Sequence, residues 1–261
     1  MKQAFVHPDA DIVSRCRAIT KPGSYAILPL DNRVMSTLPI LKCGYAQVLA
    51  APPLSNDYVA HELIISVPGG SIKPISEQLE QFLYVLEGRM DLLLDGRAHH
   101  LMEGSYCWLP PQCDFQFSSP TEPSRVLWLR RRYKHVAGLD TPAPIISNER
   151  EVTAFSEDTY MEQHLIPYEN PAFDMGVNLL NFDPGVHFGF VESHIMEHAL
   201  YMLAGRGIYW LNGDYAEVQK NDFIYMAPYC PQFFYATGWE KSRYLVYKDV
   251  NRDYADWMRT G

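Results

Sequence analysis

Residues 199–213 have the sequence Ala199-Leu-Tyr-Met-Leu-Ala-Gly-Arg-Gly-Ile-Tyr-Trp-Leu-Asn-Gly213, and an earlier segment follows the same pattern. That segment is Phe82-Leu-Tyr-Val-Leu-Glu-Gly-Arg-Met-Asp-Leu-Leu-Leu-Asp-Gly96. Each has an apolar run that ends at a Gly-Arg pair, then a second apolar run that ends at Asn-Gly or Asp-Gly. The glycines of the two segments are 117 residues apart in both places. This match indicates an internal duplication.

Other segments recur in the same order on both sides of the chain. A Pro-Gly pair precedes each copy, and a strand-like run that ends in proline follows each of them, as in Tyr106-Cys-Trp-Leu-Pro110 and Phe223-Ile-Tyr-Met-Ala-Pro228. Short apolar runs separated by turn residues, without a helical period, predict antiparallel strands. We therefore predict an all-β protein of two tandem antiparallel β-barrel, or jelly-roll, modules, residues 1–140 and 141–261.

The bulk composition limits the possible partners. The chain has 261 residues, is 47% hydrophobic, and carries a net charge of −9. An acidic chain without a basic surface argues against nucleic acid. The five cysteines form no Cys-x-x-Cys pair, and no apolar run has the length of a signal peptide or a membrane span. We expect a cytoplasmic protein that binds a small molecule and no membrane.

Four candidate metal ligands lie in the second copy: Glu192, His194, His198 and Gln232. On a strand, Glu192 and His194 would point to the same face, and a tight turn could bring His198 to that side. Imidazole and carboxylate ligands suit Mn, Fe, Zn or Ni, and the amide oxygen of Gln232 favours Mn or Fe. The alternative is that these histidines are hydrogen-bonded core residues.

The first copy serves as an internal control for this site. When the two Gly-Arg pairs are aligned, Ile75, Glu77 and Gln81 fall at the first three candidate positions, and a one-residue gap places Asp114 at the fourth. Histidines that only packed a barrel would be expected in both copies. The asymmetry therefore predicts that the second module carries the chemistry and that the first has no metal ligands.

Together these motifs resemble the bicupins, and in particular the (S)-ureidoglycine aminohydrolase family. The resemblance covers nearly the whole chain. It is most specific in Glu192-x-His194-x-x-x-His198, Gly205-Arg-Gly-Ile-Tyr209, Ala227-Pro-Tyr-Cys-Pro-Gln232 and the segment from Arg243 to Arg252. In most cupins the ligands are His-x-His, Glu and a later His, so this set departs from the usual pattern and matches the altered one of this family.

The resemblance implies the activity and the site. The family converts (S)-ureidoglycine and water to (S)-ureidoglycolate and ammonia in purine (allantoin) catabolism. By position, Mn2+ would be bound by Glu192, His194, His198 and Gln232. Tyr209, Tyr244 and Lys248 would line the substrate pocket, with Lys248 and Glu192 as the catalytic candidates. The resemblance also implies a homo-oligomer.

Two alternatives remain open from the sequence. One is another cupin metalloenzyme, such as a dioxygenase or an isomerase of a small acid, which would use an open coordination position on the metal. The other is a bicupin that binds a small molecule without turnover. A transcription regulator is disfavoured because no helix-turn-helix pattern occurs.

Overall fold

The computed structural model describes residues 16–52, 54–55, 58–157, 159–167 and 169–251. The first eleven strands are β1 (Ile19–Lys21), β2 (Tyr25–Leu28), β3 (Met35–Ser36), β4 (Leu41–Ala50), β5 (Tyr58–Ser71), β6 (Leu79–Leu94), β7 (Arg97–Met102), β8 (Ser105–Leu109), β9 (Phe115–Ser119), β10 (Ser124–Arg132) and β11 (Ile145–Asn148). The other nine are β12 (Phe155–Glu157), β13 (Tyr160–Ile166), β14 (Met175–Phe182), β15 (His198–Ala204), β16 (Arg206–Leu211), β17 (Asp214–Gln219), β18 (Phe223–Met226), β19 (Gln232–Thr237) and β20 (Ser242–Asp249).

The described residues contain no α-helix, and two short 3-10 turns lie at Leu30–Asn32 and Glu149–Glu151. The prediction of an all-β protein is confirmed. The segment from Asn251 to Arg259, whose sequence would allow a short terminal helix, lies almost entirely outside the described part of the chain. No helix in that part is long and apolar enough to cross a bilayer.

Three antiparallel sheets make up the two barrels. A nine-stranded sheet follows the order β11-β8-β6-β10-β5-β4-β3, with β7 and β9 attached to its long strands. An eight-stranded sheet follows the order β1-β2-β18-β15-β20-β14-β13-β12, and it faces a three-stranded sheet of order β17-β16-β19. The first sheet forms the N-terminal barrel, and the other two form the C-terminal barrel.

The sheets do not divide at the predicted boundary between residues 140 and 141. Strands β1 and β2 come from the start of the chain, yet β2 pairs with β18 of the C-terminal barrel. Conversely, β11 lies beyond residue 140 and pairs with β8 of the N-terminal barrel. Each module therefore completes the other's sheet, which a boundary drawn from the duplication alone did not predict.

The two hairpins at the ends of the duplicated segments use the same turn. Asp95 and Gly96 both have positive φ angles, of 49° and 76°, and Asn212 and Gly213 have φ angles of 48° and 97°. Two successive residues with positive φ define the type I′ turn that suits the twist of a tight hairpin. The turns join β6 to β7 and β16 to β17.

Strands at the centre of the fold are apolar on both faces because both faces are covered. On β10, Val126 and Trp128 belong to the core inside the N-terminal barrel, whereas Leu127 and Leu129 belong to a core shared with the C-terminal barrel. A third core lies between the eight-stranded and three-stranded sheets. The two barrels are thus held together by a buried apolar layer, which contributes stability in proportion to the area removed from water.

Candidate active site

A cavity of about 230 Å³ lies inside the C-terminal barrel, between the eight-stranded and three-stranded sheets. All seven candidate residues from the sequence line it: Glu192, His194, His198, Tyr209, Gln232, Tyr244 and Lys248. Residues from β15, β16, β19 and β20 therefore meet the loop before β15 in one place. The individual roles of these side chains stay predictions.

The strand predicted through Glu192 and His194 is wrong, because this part of the chain is an irregular loop. The loop is held against β19 by backbone hydrogen bonds. The Glu192 N–H donates to the Gln232 carbonyl at 2.9 Å, and the Gln232 N–H donates to the Glu192 carbonyl at 2.8 Å. The Tyr229 N–H donates to the His194 carbonyl at 2.7 Å. These bonds place both candidate ligands without a continuous strand.

His198 begins β15 and is 6% exposed. Its ring lies against that of His194, with 4.2 Å between the ring centroids. The residue before it is fixed firmly: the Glu197 carboxylate accepts from the Tyr225 hydroxyl at 2.6 Å and from the Ser55 hydroxyl at 3.1 Å. Ser55 belongs to the N-terminal half of the chain, so that half helps to set the position of His198.

Both imidazoles are held neutral. Burial lowers the pKa of His194 to about 4, and the positive charge of Lys248 adds to the effect. Burial lowers the pKa of His198 well below its usual range, with His194 and Lys248 as further causes. A neutral imidazole has one nitrogen with a free lone pair, which is the form that binds a metal.

Glu162, Glu192 and Lys248 are charged groups that line the cavity. Burial raises the pKa of Glu192, and the attraction of Lys248 opposes that shift. Burial likewise lowers the pKa of Lys248, while Glu162 and Glu192 act in the other direction. The cavity therefore offers one ammonium group and carboxylates in a poorly solvated space, where charge interactions are stronger than in water.

The residue types fit a divalent ion, but their side chains are spread around the cavity. The His194 Nδ1 atom is buried and has no hydrogen-bond partner within the described residues. A buried polar atom without a partner is costly, so a bound group at this point would satisfy it. However, across the described ranges no three His, Cys, Asp or Glu side chains converge closely enough to hold an ion as they stand. Binding would require these side chains to move toward each other.

The equivalent positions in the N-terminal barrel lack the candidate ligands. Ile75 and Phe115 form the same isolated backbone bridge that Glu192 and Gln232 form. The counterpart of Gln232 is therefore Phe115, and the predicted pairing with Asp114 is wrong by one residue. Glu77 is engaged in an ion pair with Arg130, whose Nη1 lies 3.2 Å from its carboxylate.

Two polar residues of the cavity wall were not predicted from the sequence: Glu162 on β13 and Asn178 on β14. They are 7% and 0% exposed, respectively. Neither belongs to the motifs around the candidate ligands. The only signal was an asparagine inside the apolar run Val177-Asn-Leu-Leu180, where a buried amide needs a partner.

Comparisons with known proteins agree with this architecture. The family profile described as Cupin domain matches residues 63–130, which lie in the N-terminal barrel. The chain is 32% identical over 242 residues to (S)-ureidoglycine aminohydrolase of Escherichia coli (strain K12), covering 91% of this chain and 92% of the relative. It is 28% identical to (S)-ureidoglycine aminohydrolase of Arabidopsis thaliana, covering 93% of this chain and 81% of that one.

Solved structures show the same fold. The Escherichia coli protein Ylba superposes with a TM-score of 0.82 at 31% identity, over 91% of this chain and 96% of that chain. Bacillus subtilis oxalate decarboxylase, described with its Mn(II) centres, superposes with a TM-score of 0.70 at 11% identity, over 100% of this chain and 90% of that chain. At that identity the likeness concerns the fold alone.

Proposed function

The chain belongs to the (S)-ureidoglycine aminohydrolase family, and from that membership we propose that the cavity of the C-terminal barrel is its active site. It is a hydrolase of purine catabolism that converts (S)-ureidoglycine and water to (S)-ureidoglycolate and ammonia. The two alternatives from the sequence, a different cupin metalloenzyme and a binding protein without turnover, are therefore set aside.

The observation that carries the assignment is the chemistry gathered in the cavity. The substrate has a carboxylate, an amine and a ureido group on one carbon. A space of about 230 Å³ with one ammonium group, carboxylates and two tyrosines suits a small, highly polar metabolite. Drug-sized ligands occupy larger pockets, of roughly 300–1,000 Å³.

Mn2+ would be held in this proposal by Glu192, His194, His198 and Gln232. Support comes from the two neutral imidazoles, the partnerless Nδ1 atom of His194 and the hard oxygen donors on Glu192 and Gln232. When bound, a divalent ion supplies a Lewis acid and a template that fixes the geometry of the substrate.

The side chains of the cavity would then divide the remaining tasks. The Lys248 ammonium anchors the substrate carboxylate as a point charge. The hydroxyls of Tyr209 and Tyr244 are buried with their residues 0% and 1% exposed, and they offer hydrogen bonds to substrate oxygens. Glu192 is placed to accept or return a proton as water adds.

The bond changes can be balanced without a further reactant. The amine gains a proton and leaves the α-carbon as ammonia. The lone pair of the ureido nitrogen assists this departure by forming a C=N bond. Water adds to the α-carbon of the resulting acyl-iminium ion, the electron pair of the C=N bond returns to nitrogen, and one proton of the water passes to a base. The product is a hydroxyl group on the same carbon.

Lys248→Met tests the assignment of the active site, because it keeps the length of the side chain and removes the charge. We expect kcat/KM for ureidoglycine to fall by about a hundredfold or more, since hydrogen bonds to charged groups contribute about 1.5–3 kcal/mol and burial strengthens them. Ammonia release from freshly generated ureidoglycine is the measurement. Lys241→Met is the matched control, because Lys241 lies on the surface with its side chain 72% exposed. Unchanged kinetics in Lys248→Met would contradict the proposal.

The protein is also proposed to form a homo-oligomer. Support comes from apolar side chains exposed on β3 and β4, at the edge of the nine-stranded sheet, including Met35, Tyr45 and Val48 at 44%, 48% and 43%. Exposed apolar groups gathered at a sheet edge favour association. Light scattering of the purified protein measures the number of chains, and a monomer at micromolar concentration would contradict this.

A further inference from the structure

Glu162 and Asn178 form a polar pair that the roles above leave unused. Both side chains line the cavity, from neighbouring strands β13 and β14. The Asn178 Nδ2 atom donates to Glu162 Oε1 at 2.6 Å. His164, the cross-strand partner of Asn178, has its Nε2 atom 3.1 Å from the same oxygen. The pair is thus held in place by its own contacts.

These contacts fix the orientation of the Asn178 amide. A carboxylate can only accept hydrogen bonds, so the amide nitrogen must face Glu162. The other end, Oδ1, is then an acceptor, and it is buried without a hydrogen-bond partner in the described part of the chain. Asn178 itself is 0% exposed. Because Asn178 lines the cavity, a ligand there could supply the missing donor, and leaving this acceptor unpaired costs about 1–3 kcal/mol.

The pair lies on β13 and β14, whereas His198 lies on β15. Asn178 is the Cα partner of Val246, and Val246 is the partner of Leu200 on β15. Two strand spacings of about 4.8 Å therefore separate Asn178 from β15, or about 10 Å. Lys248 stands on the strand between them. A small substrate can span this distance with its charged groups near Lys248 and the histidines.

The Glu162 carboxylate and Asn178 Oδ1 offer hydrogen-bond acceptors beside the cavity. The substrate has one end that is rich in donors, the terminal NH2 of its ureido group, which carries two N–H bonds. Its carboxylate would be repelled by Glu162, and its ureido oxygen needs donors. Charge and hydrogen-bond direction together therefore orient the substrate with the ureido NH2 toward this pair.

On the basis of the proposed function, we propose that Glu162 and Asn178 are specificity-determining residues that bind the terminal NH2 of the ureido group through the Glu162 carboxylate and Asn178 Oδ1. The pair would select substrates that end in a carbamoyl NH2 and reject those that end in a methyl group or a carboxylate. A site built to bind N–H groups rejects an analogue without them strongly, because its buried acceptors are left unpaired.

Two ligands that do not react test the contact with the terminal NH2 separately from catalysis. Ureidoacetate is the substrate without its amine, and N-acetylglycine has the same shape with a methyl group in place of the terminal NH2. Calorimetry on the metal-loaded protein measures their affinities directly. We expect the wild-type protein to bind ureidoacetate at least about tenfold more tightly, as expected for a hydrogen bond to a charged acceptor.

Glu162→Gln and Asn178→Leu each remove one of the two proposed acceptors. In Glu162→Gln the amide oxygen can still accept from Asn178, while the new NH2 cannot accept from the ligand. We expect the preference for ureidoacetate to fall below about threefold in both variants, with circular dichroism confirming the fold. Glu169→Gln is the matched control: Glu169 lies 2.6 Å from the other nitrogen of His164, is 55% exposed and does not line the cavity. It should keep the wild-type preference.

Three results would overturn the inference: equal affinity of the wild-type protein for both ligands, a full preference retained in Glu162→Gln, or a loss in Glu162→Gln of ureidoglycine turnover alone. The last result would assign Glu162 to the amine instead. Failure of the proposed function looks different, because the wild-type protein would then prefer ureidoacetate and yet release no ammonia from ureidoglycine.

Discussion

At the scale of single residues, buried histidines couple the stability of the protein to pH. His61 lies on β5 inside the N-terminal barrel, 4% exposed, with its ring centroid 6.3 Å from that of Trp128. Burial lowers its pKa to about 4, and the charge of Arg130 contributes. In the unfolded chain the pKa of histidine is about 6.5. Below that pH the unfolded chain binds a proton that the folded chain does not.

His61→Gln should therefore make the protein less sensitive to acid. His61 contributes its full stability above pH 6.5, and this contribution is lost as the pH falls toward about 4, by about 1.4 kcal/mol per pH unit. Urea unfolding of the metal-free protein at several pH values between 7 and 4.5 measures the free energy of unfolding. The variant should show a shallower decline than wild type. The same substitution at the exposed His135 is the control, and equal declines in all three proteins would refute the account.

At the scale of elements, the two duplicated glycines of the C-terminal barrel lie in the connections before and after β16. Gly205 has φ of 69°, and a Cβ there would lie 2.5 Å from the Lys241 carbonyl oxygen. Gly213, at the hairpin turn eight residues later, has φ of 97° and nothing within 4 Å of the same position. The first glycine is required by conformation and by space, and the second by conformation alone.

Gly205→Ala should destabilise the protein more than Gly213→Ala. Positive φ costs an alanine roughly 1–2 kcal/mol at either position, and the backbone contact at Gly205 adds about 1–3 kcal/mol. Urea unfolding should show a loss of about 3 kcal/mol for the first variant and about 1 kcal/mol for the second. Losses of the same size would show that the close approach to Lys241 is not tight.

The elements also show where sequence-based prediction succeeds and where it stops. Turn residues and a repeated motif can be recognised directly in the sequence. The barrels and the Asp-Gly and Asn-Gly hairpins could therefore be predicted. The exchange of β1, β2 and β11 between barrels depends on tertiary packing, which no local pattern records. Alternation in Glu192-Ser-His194 mimics a strand, although this segment is a loop in which Glu192 forms an isolated bridge with Gln232.

The same contrast applies to the site. The candidate ligands lie in a dense motif and could be identified from the spacing of a few residues. Glu162 and Asn178 reach the cavity from strands that are distant from that motif in sequence, so only the fold brings them there. Arg131 is a similar case, because the fold leaves it 2% exposed and places it to donate to the Asp174 carbonyl at 3.0 Å.

At the scale of the whole molecule, a buried ionic cluster joins the two barrels. Glu62 on β5 accepts from Arg33 Nη1 at 2.8 Å, from Arg125 Nε at 2.8 Å and from the Tyr201 hydroxyl on β15 at 2.7 Å. The side chains of Arg33 and Glu62 are each 1% exposed. Arg33 also donates to the carbonyl oxygen of Asn221 in the C-terminal barrel.

Arg33→Met should therefore weaken the contact between the barrels. Removal of one partner from a buried ion pair costs about 3–5 kcal/mol, because the other charge remains buried; Arg125 still faces Glu62, so we expect the lower end of that range. Urea unfolding measures the loss. Arg89→Met is the control, since Arg89 pairs with Glu122 on the surface, and exposed pairs contribute about 0–1 kcal/mol. A loss in Arg33→Met no greater than in the control would contradict this role.

The proposed function requires one divalent ion in the C-terminal barrel for ureidoglycine hydrolysis. The most direct test is ammonia release from freshly generated (S)-ureidoglycine by protein stripped of metal with a chelator and then titrated with Mn2+, with metal content measured in parallel. We expect negligible release without metal, full activity at one Mn2+ per chain, and neither metal retention nor recovery in Glu192→Ala. Full activity of the stripped protein, or of Glu192→Ala, would contradict this requirement.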